Sequence, residues 1–169
     1  MNHKAITGVL LDAKLPERVT HNDTKFNNVM IEDATGEGIC VIDLDTVMPG
    51  LALYDFGDMI RTATSPAQED ERDLAKVRMQ FPMFEALVRG YLTTASEFLT
   101  RAEKQFLAFS GELITFEIGV RFLTDFLEGD TYFKVHREGH NLDRCRTQFK
   151  LVESIEQQEA AMNKLVETI

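Results

Sequence analysis

Tryptophan is absent from this sequence, so any ring that stacks on a ligand has to be a phenylalanine or a tyrosine. Cysteine is nearly absent as well. Cys40 and Cys145 belong to no CxxC-type spacing, which argues against a disulfide framework and fits reduced thiols in a cytosol. Positive charge is scarce: 18 Lys and Arg stand against 28 Asp and Glu. The net charge of −10 speaks against nucleic acid or an anionic membrane as partner, since both need basic patches. No apolar run approaches the roughly 20 residues that span a bilayer. Met1–Leu15 lacks the charged start and continuous apolar stretch of a secretory signal. The expected location is therefore cytoplasmic. Repeats and low-complexity segments are also missing. What is present is an apolar fraction of 44% with twelve phenylalanines, enough for a real core in 169 residues. One domain over residues 1–169 is expected, burying roughly 70% of its unfolded surface.

The chain divides into a short β-rich head and a long helical body. Ala5–Leu11 is a brief apolar segment, and Val19–Thr20 leads extended into a polar loop. Residues 28–31 and 38–44 are β-branched runs around Glu32-Asp33-Ala34-Thr35-Gly36-Glu37, the pattern of a hairpin. Beyond Pro49-Gly50 the period turns helical. Helices are predicted over residues 53–62, from Ser65-Pro66 onward with Glu69, Asp70 and Glu71 near its positive end, and over about 82–97. Thr100-Arg101-Ala102-Glu103 is a capping box opening a helix to about Leu127, with a break possible at Gly111. Asn141 is the expected cap of a last helix over about 142–166. The fold class is α+β, predominantly α, with a short hairpin and about five to six helices.

Chemistry concentrates in His21-Asn22-Asp23-Thr24-Lys25-Phe26-Asn27-Asn28 and in Val41-Ile42-Asp43-Leu44-Asp45. Phosphoryl transfer from a metal–nucleotide complex needs this inventory: a carboxylate to take the acceptor hydroxyl's proton, and an amide and a carboxylate to hold magnesium. Asp23, flanked by polar groups, is the expected general base. An isolated loop Asp is usually a turn or cap residue; Asn28 and Asp43 at these offsets favour catalysis. Asn28 offers a neutral oxygen suited to a hard cation, and Asp43 a carboxylate at the end of a strand. Asp45, two residues on, is either a second metal ligand or a bond to the Thr46–Pro49 turn, with the turn favoured. Lys25 either meets the transferred phosphate or is a solvated lysine. His21 is expected to brace the loop. Asp55-Phe56-Gly57 spells the metal-binding tripeptide of protein kinases, but it heads a helical pattern twenty-seven residues past Asn28. Asp55 is therefore given a structural role, bonding back to the loop backbone.

These motifs, with Tyr54-Asp55, resemble the aminoglycoside phosphotransferase-like small-molecule kinases, which share the protein-kinase fold. Val41-Ile42-Asp43-Leu44-Asp45-Thr46-Val47-Met48-Pro49-Gly50 and Arg137-Glu138-Gly139-His140-Asn141-Leu142-Asp143-Arg144 narrow the resemblance to the N-acetylhexosamine 1-kinase branch, over about residues 19–159. The resemblance implies transfer of the ATP γ-phosphoryl group to the anomeric hydroxyl of an N-acetylhexosamine. It assigns Asp23 as base and Asn28 and Asp43 as Mg2+ ligands. Asn22 stands where the wider family commonly has glycine. Arg121, four residues from Glu117 and from Asp125, is either half of an intrahelical pair or a sugar contact, and Tyr132 after the Gly129-Asp130 turn is a second candidate for the sugar.

The kinase fold places a glycine-rich loop and a strand lysine in an N-terminal lobe, and neither pattern occurs here; Lys4 and Lys14 have no such context. The chain thus reads as the C-terminal lobe alone, inactive by itself, with self-association expected through the surface left by the missing lobe. Two other readings stay open: a kinase for another hydroxyl compound such as an aminoglycoside or amino alcohol, which predicts an acidic pocket, and a non-catalytic lobe serving as an interaction module.

Overall fold

A computed structural model describes residues 14–169. The expected Ala5–Leu11 segment, and Lys4 with it, lies outside them. Strands come first: β1 (Arg18–Thr20), β2 (Val29–Ile31), β3 (Gly38–Val41) and β4 (Met48–Gly50). Six helices follow among the described residues: α1 (Ala52–Ala63), α2 (Phe81–Ala95), α3 (Arg101–Gln105), α4 (Leu107–Leu127), α5 (His140–Glu156) and α6 (Glu159–Thr168). The fold is α+β and mostly helical, compatible with the C-terminal lobe of a kinase-like fold.

The strands form two antiparallel pairs, one nested in the chain path of the other. β2 and β3 are the expected hairpin, with Val29 opposite Val41 and Met30 opposite Cys40. A bulge then sets Ile31 opposite Gly38, and the turn is closed by Gly36 at φ +73°, a left-handed position suited to glycine. β1 pairs with β4, Thr20 opposite Met48. The hairpin therefore leaves and returns between two strands that are themselves joined, so both ends of the intervening loop are fixed.

The helical body is built on α4. α1 turns Leu53, Phe56 and Ile60 inward at helical spacing, all three fully buried. Its Gly57 faces the Ser110 carbonyl, where a Cβ would lie 2.3 Å from that oxygen; Gly111 on α4 faces Ile60 in return. Farther along α4, Gly119 takes the Phe149 ring and the Gln148 stem of α5. Phe84, Val88, Leu107, Leu151, Ile155 and Met162 complete the core. Fully burying each such side chain contributes about 1.5–3 kcal/mol. The capping box forms as read, with Thr100 and Glu103 exchanging bonds. Glu103 also takes both nitrogens of an Arg18 fork at 2.7 and 2.8 Å, tying β1 to the helices.

Three helix expectations are corrected. No α-helix starts at Ser65-Pro66; the chain from 65 to 80 is loop with one short 3-10 turn at Leu74–Lys76. Its acids serve tertiary pairs: Glu69 meets Arg61, and Asp70 meets Arg137 and His140. Val77 and Met79 anchor the loop in the core. The break before α4 falls at Phe106, not Gly111, whose missing side chain serves close packing inside a continuous helix. The last helical stretch is two helices with Gln157 and Gln158 between them, and Gly139 at φ +69° stands at the cap of α5. Asn141 lies inside that helix, fully buried. It donates to Asp125 at 2.7 Å and to Asp130 at 2.9 Å.

Candidate functional site

The loop from His21 to Lys25 is held almost entirely by side chain to backbone bonds. Asp55, in the first turn of α1, accepts the His21 and Asn22 backbone N–H groups at 2.8 and 2.7 Å, one on each carboxylate oxygen. Thr24 Oγ1 donates to the Asp55 carbonyl at 2.6 Å, and Thr46 Oγ1 donates to the His21 carbonyl at 2.6 Å. His21 bridges loop and hairpin: Nε2 donates to the Ile42 carbonyl at 3.0 Å while Nδ1 accepts the Asp23 N–H at 3.3 Å. Those partners place the ring proton on Nε2. Asn22 has φ +63°, a position glycine would occupy freely. Its side chain offsets the strain by donating to the Thr46 carbonyl and accepting from Thr20 Oγ1.

This frame presents Asp23. Its Oδ2 receives Lys25 Nζ at 2.7 Å and Asn28 Nδ2 at 3.0 Å, and Asn28 also donates to the Asp23 carbonyl at 2.8 Å. Oδ1 has no hydrogen-bond partner among the described residues. Partial burial pushes the Asp23 carboxyl up. The bonds from Lys25 and Asn28, with the charge of Lys25, outweigh it and hold the group below the usual carboxylate range. Lys25 moves the other way: its bond to Asp23, against some loss of hydration, and the charges of Asp23, Asp43 and Asp58 raise it.

Asn28 is buried and commits its amide nitrogen twice to Asp23, which fixes the amide's orientation and leaves Oδ1 without a partner among the described residues. The Ile42 N–H donates to the Asn28 carbonyl at 2.9 Å, so the hairpin sets Asp43 one residue beyond a direct bond to Asn28. Asp43 sits at φ +64°, past the end of β3, with an exposed carboxylate that no described residue bonds. Asp45 differs from expectation. It lies in a 3-10 turn (Leu44–Thr46) and forms no hydrogen bond with residues 46–49; Thr46 and the Val47 N–H to Leu44 O bond hold that turn. Among the described residues, no three His, Cys, Asp or Glu side chains are grouped to hold a metal.

Arg121 and Tyr132 come together, but with each other. The guanidinium lies 3.5 Å from the Tyr132 hydroxyl and over the Tyr132 and Phe133 rings at 5.7 and 5.5 Å. Arg121 forms no pair with Glu117 or Asp125. Asp125 instead accepts the N–H groups of Thr131, Tyr132 and Phe133 and the Asn141 amide, which pins the loop carrying Tyr132. Burial pushes the Asp125 carboxyl up, and these four bonds bring it below its ordinary range. Neither Arg121 nor Tyr132 shares a hydrogen bond or ion pair with Asp23, Asn28 or Asp43 among the described residues.

Sequence reasoning missed a cavity of about 360 Å³ beside the loop. Lys25 forms part of its wall, Thr62, Ser65 and Gln68 line it, and Gln148 from α5 lies at its edge. Its charges are mostly paired: Arg61 bonds Asp58 at 2.8 Å and Glu69 at 3.0 Å. No spacing signalled it, because its lining comes from three separated stretches of chain. A family model described as phosphotransferase enzyme family matches residues 5–90, just over half of the chain.

Proposed function

The chain belongs to the phosphotransferase enzyme family, and from that premise we propose that it serves ATP- and Mg2+-dependent phosphoryl transfer to a hydroxyl of a neutral small molecule, the anomeric hydroxyl of an N-acetylhexosamine in particular. One observation carries this reading. Asp23 is kept ionised by Lys25 and Asn28 through Oδ2, while Oδ1 remains open to a ligand. An acceptor hydroxyl donating to Oδ1 is oriented for attack, and its proton passes to Asp23 as the new O–P bond forms and the bond to the leaving diphosphate breaks. A carboxylate of low basicity suits a loose transition state, in which positioning counts for more than early proton removal. Lys25, 2.7 Å from Asp23, is then placed to balance charge on the transferred group.

Magnesium fits the donor set. Asn28 Oδ1 and the Asp43 carboxylate are hard oxygen donors without partners among the described residues, and Mg2+ is commonly held by one or two such groups with water and phosphate oxygens. When bound it would neutralise charge on those oxygens. The paired charges and hydroxyl and amide lining of the cavity favour a neutral acceptor over a cationic aminoglycoside. The nucleotide-gripping groups have no counterpart among the described residues. We assign their contact to the exposed apolar side chains of the two sheets, including Val19, Ile39 and Met48.

The test is product formation by the natural gene product, with whatever coding sequence adjoins Met1, from ATP and Mg2+ with N-acetylglucosamine, N-acetylgalactosamine, choline and an aminoglycoside. An N-acetylhexosamine phosphate is expected, and it should vanish in Asp23→Asn while the circular-dichroism spectrum stays unchanged. Product only from choline or the aminoglycoside sinks the sugar assignment; full activity in Asp23→Asn removes it as the base.

A further inference from the structure

Residues 43–45 form an arch between Ile42 and Thr46, and both of its feet stand on His21 and Asn22. Before the arch, the Ile42 carbonyl accepts the His21 ring N–H at 3.0 Å. After it, Thr46 Oγ1 donates to the His21 carbonyl at 2.6 Å, and the Thr46 carbonyl accepts Asn22 Nδ2 at 3.1 Å. The Val47 N–H closes the arch on the Leu44 carbonyl at 3.3 Å. Asp43 itself stands at φ +64°, and its carboxylate bonds no described residue. That carboxylate is therefore placed by the arch, and the arch by the two residues that precede Asp23.

Asn22 is the foot whose residue type needs a reason. Its backbone, at φ +63°, suits glycine best, and asparagine tolerates that conformation better than most residues. Tolerance does not explain where the amide goes. Nδ2 reaches forward to Thr46, and Oδ1 accepts from Thr20 Oγ1 at 3.1 Å. Thr20 is buried and shares its one hydroxyl proton with the Met48 carbonyl at 2.9 Å. Gly50 leaves the space this strap needs. A Cβ there would lie 2.6 Å from Thr20 Oγ1 and 3.4 Å from Asn22 Oδ1. The Asn22 amide thus joins the end of β1, the start of β4 and the far foot of the arch.

We propose that Asn22, acting through Thr46, is a positioning residue for the metal: it ties the Asp43 arch to the loop that carries Asp23 and Asn28, and so sets the cation affinity of the Asn28–Asp43 pair. The proposal deepens the phosphoryl-transfer reading and rests on it for the identity of the ion. Mg2+ demands near-ideal octahedral geometry, so a carboxylate free to swing is a poorer ligand than one already in place. Asn22 is exposed and Thr46 half-buried, so each bond is a modest one and the fold does not depend on it.

Asn22→Gly removes the amide without straining the backbone, Thr46→Val removes the hydroxyl, and Thr46→Ser restores it. In the isotope-labelled, metal-free natural gene product, exchange of the Val47 amide should quicken in the first two variants and match the wild type in Thr46→Ser. Mn2+ alone, which takes the same oxygen ligands as Mg2+, should broaden the Asn28 and Asp43 NMR resonances of the wild type. Asn22→Gly and Thr46→Val should need about fivefold more Mn2+ for the same broadening, with Thr46→Ser close to the wild type. Tm should change little in all three. The proposal is overturned if Asn22→Gly and Thr46→Val bind Mn2+ as the wild type does, even where Tm falls or Val47 exchange quickens. Unchanged Val47 exchange in both, or no effect of Mn2+ on Asn28 and Asp43 in the wild type, overturns it as well. Phosphoryl transfer is scored separately. Weakened Mn2+ binding in the variants with no product from any acceptor rejects the kinase reading and keeps the strap. Where product forms, Asn22→Gly should raise the Mg2+ needed for half-maximal rate about fivefold and leave the acceptor KM unchanged; a rise in the acceptor KM alone would overturn the assignment.

Discussion

Asp55→Ala is the substitution that most directly probes how the candidate base is positioned. The Asp55 carboxylate is half-buried and accepts two backbone N–H groups, from His21 at 2.8 Å and Asn22 at 2.7 Å. A hydrogen bond to a charged group contributes about 1.5–3 kcal/mol when shielded, and partial exposure lowers that to about 1–2 each. Losing an acid in the first turn of α1 adds about 0.3–1 kcal/mol. The expected loss is therefore about 2–5 kcal/mol, or roughly 5–20 °C in Tm for a chain of this size. Native-state amide exchange localises it: His21 and Asn22 should lose protection before the core does. Asp55→Glu separates the two contributions, since it keeps an acid at the helix start but misplaces both oxygens. A loss below about 1 kcal/mol with unchanged exchange at His21 and Asn22 would refute the view that α1 holds this loop.

Lys25→Met should raise the Asp23 carboxyl, because burial then acts against fewer opposing bonds, and the acid limb of the kcat/KM profile should move to higher pH; an unmoved limb refutes the pairing. In the wild type, the stability from Asp23 is present above the unfolded carboxylate value of about 3.9 and lost as pH falls through its lower folded value. That from Lys25 is present below about 10.4 and lost as pH rises through its raised folded value. Gly57→Ala sets a methyl 2.3 Å from the Ser110 carbonyl oxygen and should cost more than about 3 kcal/mol in denaturant unfolding, since backbone cannot yield as a side chain does; a change under about 1 kcal/mol would refute the close approach of α1 and α4.

Short-range chemistry was legible in the sequence. The hairpin, the Thr100–Glu103 box and the helices at 52–63 and 81–95 follow from turn residues, caps and period, and all form close to the expected bounds. Failures came where a polar residue serves a distant partner in place of its own helix. Glu69 and Asp70 look like helix-start acids but pair with Arg61, Arg137 and His140. Asn141 looks like a cap but closes the Asp125 and Asp130 cluster from inside α5. Asp125 four residues from Arg121 suggests an ion pair, yet three backbone N–H groups claim it first. Gly111 suggests a break, yet what it supplies is room for Ile60.

The same distinction separates structure from chemistry within the polar residues themselves. Asp55-Phe56-Gly57 spells a metal motif, but each residue is already occupied: the carboxylate by two backbone N–H groups, the ring by the core, the glycine by the Ser110 carbonyl. Glu103 and Asp125 are saturated in the same way. Asp23 Oδ1 and Asn28 Oδ1 belong to side chains held by their neighbours yet have no hydrogen-bond partner among the described residues. Fixing a polar group while leaving it unpaired costs stability, and folded proteins tolerate that cost where a ligand recovers it. Saturation of hydrogen bonds, more than residue type or tripeptide spelling, therefore supports placing phosphoryl-transfer chemistry at Asp23 and withholding it from Asp55.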